Sequence, residues 1–115
     1  MINETLEILS HAGSKDSEQV IRLTGVLTIH TLFNFQTAVR TETAAALILD
    51  FSGVSYVDSA GLGAIVGAML SYQKSGRKFL MAGTNERVNA LMDMTNVRKL
   101  LPSYPSVELA EASLG

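Results

Sequence analysis

The reading of this chain turns on the stretch Asp50-Phe51-Ser52-Gly53-Val54-Ser55-Tyr56-Val57-Asp58-Ser59-Ala60-Gly61-Leu62-Gly63. Its approach, Ala45 to Phe51, is short and almost continuously apolar, the pattern of a strand covered on both faces, and predicts a central place in a sheet. Val54 to Asp58 reads as a loop. Past it, Leu62, Ile65, Val66, Met69 and Leu70 recur at i, i+3, i+4, i+7 and i+8, which predicts a helix with those side chains buried against the sheet. Ser59 therefore falls where a loop meets a helix N-terminus, a position from which a hydroxyl can cap free N–H groups.

On the N-terminal side, Thr5 to Leu9 alternates weakly and Gln19 to Leu27 reads as a strand, with polar His11 to Ser17 as the turn between them. Leu32, Phe35 and Val39 mark an amphipathic helix from Thr31 to about Glu42, with Thr31 as its cap and Phe33 off the apolar stripe. On the C-terminal side Ser75-Gly76 ends the long helix, Lys78 to Ala82 reads as a strand, and Thr84 caps a helix carrying Val88, Leu91 and Met92. Asn96 before Val97 fits the close of that helix, since asparagine tolerates the left-handed conformation. Arg98 to Leu101 reads as a last short strand, Pro102 and Pro105 break the chain, and Ser106 caps a terminal helix holding Val107, Leu109 and Leu114. Strands alternating with helices predict an α/β layer fold. A chain of 115 residues with 47% hydrophobic content suits a single domain, residues 1–115, with one core.

A net charge of -2, with nine basic residues in no long run, argues against nucleic acid as a direct partner. No cysteine occurs, so neither a disulfide framework nor a thiolate metal site is available, and the cytoplasm is the expected compartment. Glu4, Glu7 and the polar break at His11-Ala12-Gly13-Ser14 do not form a signal peptide. The longest apolar stretch, Leu62 to Leu70, falls far short of the ~20 residues that span a bilayer, so no membrane insertion is expected.

Catalytic chemistry finds little support. His11 and His30 have no second ligand at metal spacing, so no metal is expected. Ser59 lacks the G-x-S-x-G elbow of a hydrolase nucleophile, and the carboxylates are scattered, so neither catalytic residues nor a cofactor are expected. Gly61-x-Gly63 with Gly67 resembles a dinucleotide-binding turn and keeps a nucleotide-dependent enzyme as a further alternative. That fingerprint wants an acidic residue about 20 positions later, where this chain has Met81-Ala82-Gly83-Thr84. The favoured reading is a small-residue face, Ala60, Gly63, Ala64, Gly67 and Ala68, that lets the helix pack closely on the sheet or on a partner.

The stretch Asp50 to Gly63 resembles the signature of STAS domains, specifically of anti-sigma factor antagonists. Val20-Ile21-Arg22-Leu23-Thr24-Gly25 is similar to the family's second strand and Leu100-Leu101-Pro102-Ser103-Tyr104-Pro105-Ser106 to its closing segment, so the resemblance covers nearly the whole chain. It implies a STAS-like mixed sheet of four to five strands with about four helices mainly on one side. It also implies a regulated Ser or Thr at the start of the second helix, here Ser59, within a partner-binding surface of Asp58, Ser59, Ala60, Gly61, Leu62, Gly63 and Thr28.

In the family, the resemblance implies, the unphosphorylated protein binds an anti-sigma factor with a histidine-kinase-like serine kinase domain and frees the sigma factor. Phosphorylation by that kinase ends the binding, and a serine phosphatase restores it. The family pattern carries an acidic residue after Gly-x-Leu at the second-strand end, often with a Glu before the Leu. This chain has Thr28 and Val26 there, which implies less efficient phosphorylation. The alternative role is a soluble STAS subunit of a transporter or larger signalling complex.

The physics of the position is compatible with a switch. A phosphate on Ser59 would meet helix N–H groups and the positive end of the helix dipole, so the domain need not unfold. The plainer expectation is that Ser59 is a helix cap and Asp58 a turn residue.

Overall fold

The computed structural model describes residues 4–115. In chain order the elements are β1 (Leu6–Ala12), β2 (Glu18–Leu27), α1 (Leu32–Thr41), β3 (Ala46–Val57), α2 (Ser59–Lys74), β4 (Lys78–Ala82), α3 (Glu86–Met94), β5 (Ser103–Tyr104) and α4 (Val107–Ser113). The strands form one sheet in the order β1-β2-β3-β4-β5. β1 and β2 are an antiparallel hairpin, and β2 to β5 run parallel, with β3, β4 and β5 each reached through a helix. This is the mixed α/β sheet that the sequence led us to expect.

Strand alternation sorts the core. Ile21 and Leu23 of β2 and Leu47, Leu49 and Phe51 of β3 face α1, α2 and α3, while Val20, Ile48 and Leu80 face the other way and are covered by Ala110 of α4. The helices thus lie mainly on one side. With β3 in the middle, Ala46 to Leu49 are buried without interruption, as a strand covered on both faces requires.

β3 does not stop near Phe51. Of the segment read as a loop, Val54 to Asp58, all but Asp58 continues β3 alongside β2, and the turn-like Ser52-Gly53 is absorbed as a register shift between Arg22 and Thr24 of the partner strand. Buried Val54 and Val57 anchor this extension in the core. β1 likewise runs on through His11 and Ala12, so the hairpin turn is shorter than expected.

On α2, Leu62, Ile65 and Met69 are buried as expected, and Val66 is half-buried. Leu70 is 53% exposed, and its expected place in the core is taken by Ala64, Ala68 and Tyr72. The reason is geometric, because α2 packs on α1 as well as on the sheet and its buried arc is rotated toward α1. The Tyr72 hydroxyl donates to the Val39 carbonyl of α1 at 3.0 Å. Burial pushes its pKa up, against the opposing charge of Arg77, whose guanidinium lies 3.9 Å from the ring centroid.

Two expected caps change hands. Asn85, not Thr84, caps α3 by accepting from the Val88 N–H, while the Thr84 hydroxyl donates to Asn89 Oδ1. The Thr31 side chain does not cap α1; it accepts from the Thr28 N–H and donates to the Val26 carbonyl. Asn96 does close α3, at φ 59°, with its own N–H and that of Val97 bonded back to the Asp93 and Met92 carbonyls. Arg98 to Leu101 is a turn rather than a strand. The last strand is Ser103–Tyr104, where the Pro102 and Tyr104 carbonyls accept from the N–H groups of Met81 in β4 and Gly83 just past it, and no proline N–H is needed.

Candidate functional site

The carboxyl ends of β2 and β3 and the N-termini of α1 and α2 meet at one end of the sheet, the end at which ligands and partners commonly engage parallel sheets. Asp58 holds this corner together. It is the N-cap of α2, and its Oδ1 accepts from the Gly61 N–H at 2.7 Å. Its Oδ2 reaches across the sequence and accepts from the Ile29 N–H at 3.0 Å. One carboxylate therefore ties the β2–α1 turn to the start of α2.

Capping by Asp58 overturns the expectation that Ser59 is the cap. Ser59 is the first residue of the helix and exposed, and its hydroxyl takes no part in the cap. Gly61 sits directly beneath. A Cβ on it would lie 2.2 Å from the Leu27 carbonyl oxygen, so only glycine lets α2 start this close to the end of β2. Leu62 points into the core. Ala60 is half-buried and Gly63 is exposed, with open space above it.

The expected surface residues therefore separate by depth. Ser59 and Gly63 face outward, Asp58 and Ala60 lie at the rim, and Gly61 and Leu62 support them from below. Thr28 departs from the expectation, since it is only 1% exposed. Its hydroxyl donates to Glu4 Oε1 at 2.5 Å and accepts from the His30 N–H at 3.2 Å. It shapes the turn rather than facing a partner, and the carboxylate beside it belongs to Glu4. Reading by motif missed Glu4 and Ile29, because the contacts that bring them here join residues 24 and 29 positions apart.

Around Ser59 the surface is partly apolar. Ile29, Phe33 of the first turn of α1 and Tyr56 at the end of β3 are all exposed, and Arg87 of α3 lies over the Tyr56 ring at 5.2 Å. Exposed aromatic and aliphatic groups beside a polar rim are characteristic of a protein-docking surface. The glycine pattern does not form a phosphate loop. Gly61, Gly63 and Gly67 lie inside α2, and the Gly61 N–H is taken by Asp58. Of the small-residue face, Ala64 and Ala68 are buried, whereas Gly63 and Gly67 floor an open groove between α1 and α2 that Gln36 and Arg40 border. Among the described residues no helix is long and apolar enough to cross a membrane.

The double role of Asp58 predicts a measurable loss. Asp58→Ala removes the cap and leaves the Ile29 N–H without its acceptor, so urea unfolding should show a destabilisation of about 1–2 kcal/mol. A change indistinguishable from zero would mean that the corner is held by other contacts.

Comparison with known proteins places this geometry. The STAS domain family model matches residues 12–110. An anti-sigma F factor antagonist of Paenibacillus polymyxa is 26% identical over 107 residues, covering 90% of this chain and 88% of that protein. An anti-sigma-B factor antagonist of Staphylococcus epidermidis is 25% identical over 103 residues, covering 87% and 92%. The crystal structure of an anti-sigma factor antagonist from Mycobacterium paratuberculosis superposes with a TM-score of 0.81 at 20% identity, covering 95% of this chain and 93% of that one, and so shares the fold.

Proposed function

The chain belongs to the STAS domain family, and we propose that it acts as an anti-sigma factor antagonist whose docking surface is centred on Ser59. In this reading the unphosphorylated protein binds an anti-sigma factor carrying a histidine-kinase-like serine kinase domain, and transfer of phosphate to the Ser59 hydroxyl ends the binding. A serine phosphatase reverses the step. The names of the relatives, antagonists of anti-sigma F and anti-sigma-B factors, support the partner class.

The observation that carries the reading is the division of labour between Asp58 and Ser59. Because Asp58 supplies the cap, the Ser59 hydroxyl is exposed and free of structural duty, so it can be modified without dismantling the helix start. Asp58, Ala60 and Gly63 complete the contact surface, and Gly61, Leu62 and Thr28 hold it in shape from beneath. The test is incubation with the anti-sigma kinase and ATP followed by phosphopeptide mapping. Modification is expected at Ser59 alone; modification at Ser52 or Ser55 instead would overturn the assignment.

A further inference from the structure

The two edges of the sheet are finished differently. β5 is two residues long and flanked by Pro102 and Pro105, a short edge of the kind that resists pairing. β1 has seven residues, contains neither proline nor lysine, and pairs with β2 without a bulge. Among the described residues nothing pairs with its outer side. At its centre Leu9 is 67% exposed.

The hydrogen-bond phase of β1 is defined by its ends. The Val26 N–H donates to the Thr5 carbonyl and the Gly13 N–H to the Glu18 carbonyl, so odd-numbered residues from Thr5 to Gly13 direct their backbone groups at β2. The even-numbered ones, Leu6, Ile8, Ser10 and Ala12, therefore point their N–H and C=O groups at the free edge, where the Ala12 carbonyl lies 3.1 Å from Nδ1 of the His11 ring, a contact that a pairing strand has to displace. The side chains of Leu6 and Ile8 pack on the core beneath α1 to α3, so Glu7, Leu9 and His11 share the opposite face, which is exposed along β1.

We propose that β1 pairs antiparallel with β1 of a second copy of this chain about a two-fold axis at Leu9. This register places Ile8 opposite Ser10 and Leu6 opposite Ala12, each as a hydrogen-bonded pair that satisfies the outward backbone groups. Leu9 meets Leu9 in a non-hydrogen-bonded pair, where side chains approach closest and bury their exposed apolar surface. Glu7 of each copy meets His11 of the other, an acid against a base, twice. A shift of register by one residue loses both the Glu7–His11 pairing and the Leu9 contact. The result is a continuous sheet with the α1–α3 layers of both copies on the same side. The Ser59 corner does not enter this pairing, so the proposal is independent of the function assigned to it.

The test is sedimentation equilibrium from about 1 µM to about 1 mM protein. The mass is expected to rise from 12.3 kDa toward twice that value with concentration. Ser10→Pro removes an outward donor and leaves the β1–β2 ladder whole, so it should keep its melting midpoint while weakening association at least tenfold. Leu9→Glu, at an exposed site, sets two carboxylates face to face and should do the same if the proline variant fails to fold. Glu7→Lys should weaken association, and adding His11→Glu to it should recover most of the loss. A wild-type chain that stays monomeric at 1 mM, folded edge variants that associate like wild type, or a reversed charge pair that recovers nothing would each overturn the proposal.

Discussion

Phosphorylated on Ser59, the protein is expected to keep its fold and to bind its anti-sigma partner up to about a thousandfold more weakly than the unmodified form. The phosphate adds about -1.5 to -2 charge at neutral pH. In the free domain that charge is exposed to water and lies at the positive end of a helix of 16 residues, so folding tolerates it. In the proposed docked complex the phosphate would sit beside the Asp58 carboxylate, which is already committed to the Gly61 and Ile29 N–H groups. At a separation near 4 Å and an effective dielectric of about 20, one like-charge pair costs about 4 kcal/mol, and water at the rim reduces the expressed share. Ser59→Ala should fold and bind while resisting phosphorylation; Ser59→Asp should fold and bind more weakly. Isothermal titration of both forms against the anti-sigma factor decides the matter, and equal affinities would remove Ser59 from the role of switch.

Ile65→Ala is expected to destabilise the domain by about 2–5 kcal/mol, the range for truncating a fully buried aliphatic side chain. Ile65 is 0% exposed on the sheet side of α2. Leu70→Ala is the control. Because Leu70 is largely exposed, its truncation should change stability by no more than about 0.5 kcal/mol, although spacing alone put both side chains on one buried face. Paired urea titrations read both values, and a loss at Leu70 matching that at Ile65 would contradict the orientation of α2 described above.

The contrast between Ile65 and Leu70 shows how far a periodic pattern reaches. Hydrophobic spacing reports that a helix has an apolar side, but the width and rotation of the buried arc depend on how many layers pack against it. α2 meets both the sheet and α1, so Ala64, Ala68 and Tyr72 are drawn inside and Leu70 is turned out. Strand ends behave similarly. Ser52-Gly53 carries the local chemistry of a turn, yet β2 is long enough to keep pairing past it, and the surplus residues become register shifts.

The amino-acid sequence by itself determined the alternation of strands and helices, the buried central strand within Ala45 to Phe51 and the long helix that starts at the Asp58-Ser59 junction. These are local signals, written in periodicity and in residues with strong positional preferences. Only the tertiary structure decided which of the two junction residues is the cap. Both Asp and Ser serve well at a helix N-cap, and what separated them was the Ile29 N–H, brought from 29 positions away to the second oxygen of Asp58. The same holds for Thr28, whose partner Glu4 lies 24 positions off, and for the open edge of β1, which exists because the sheet ends there. Such features arise from contacts between distant segments, and the residues that make them carry no local mark of their role.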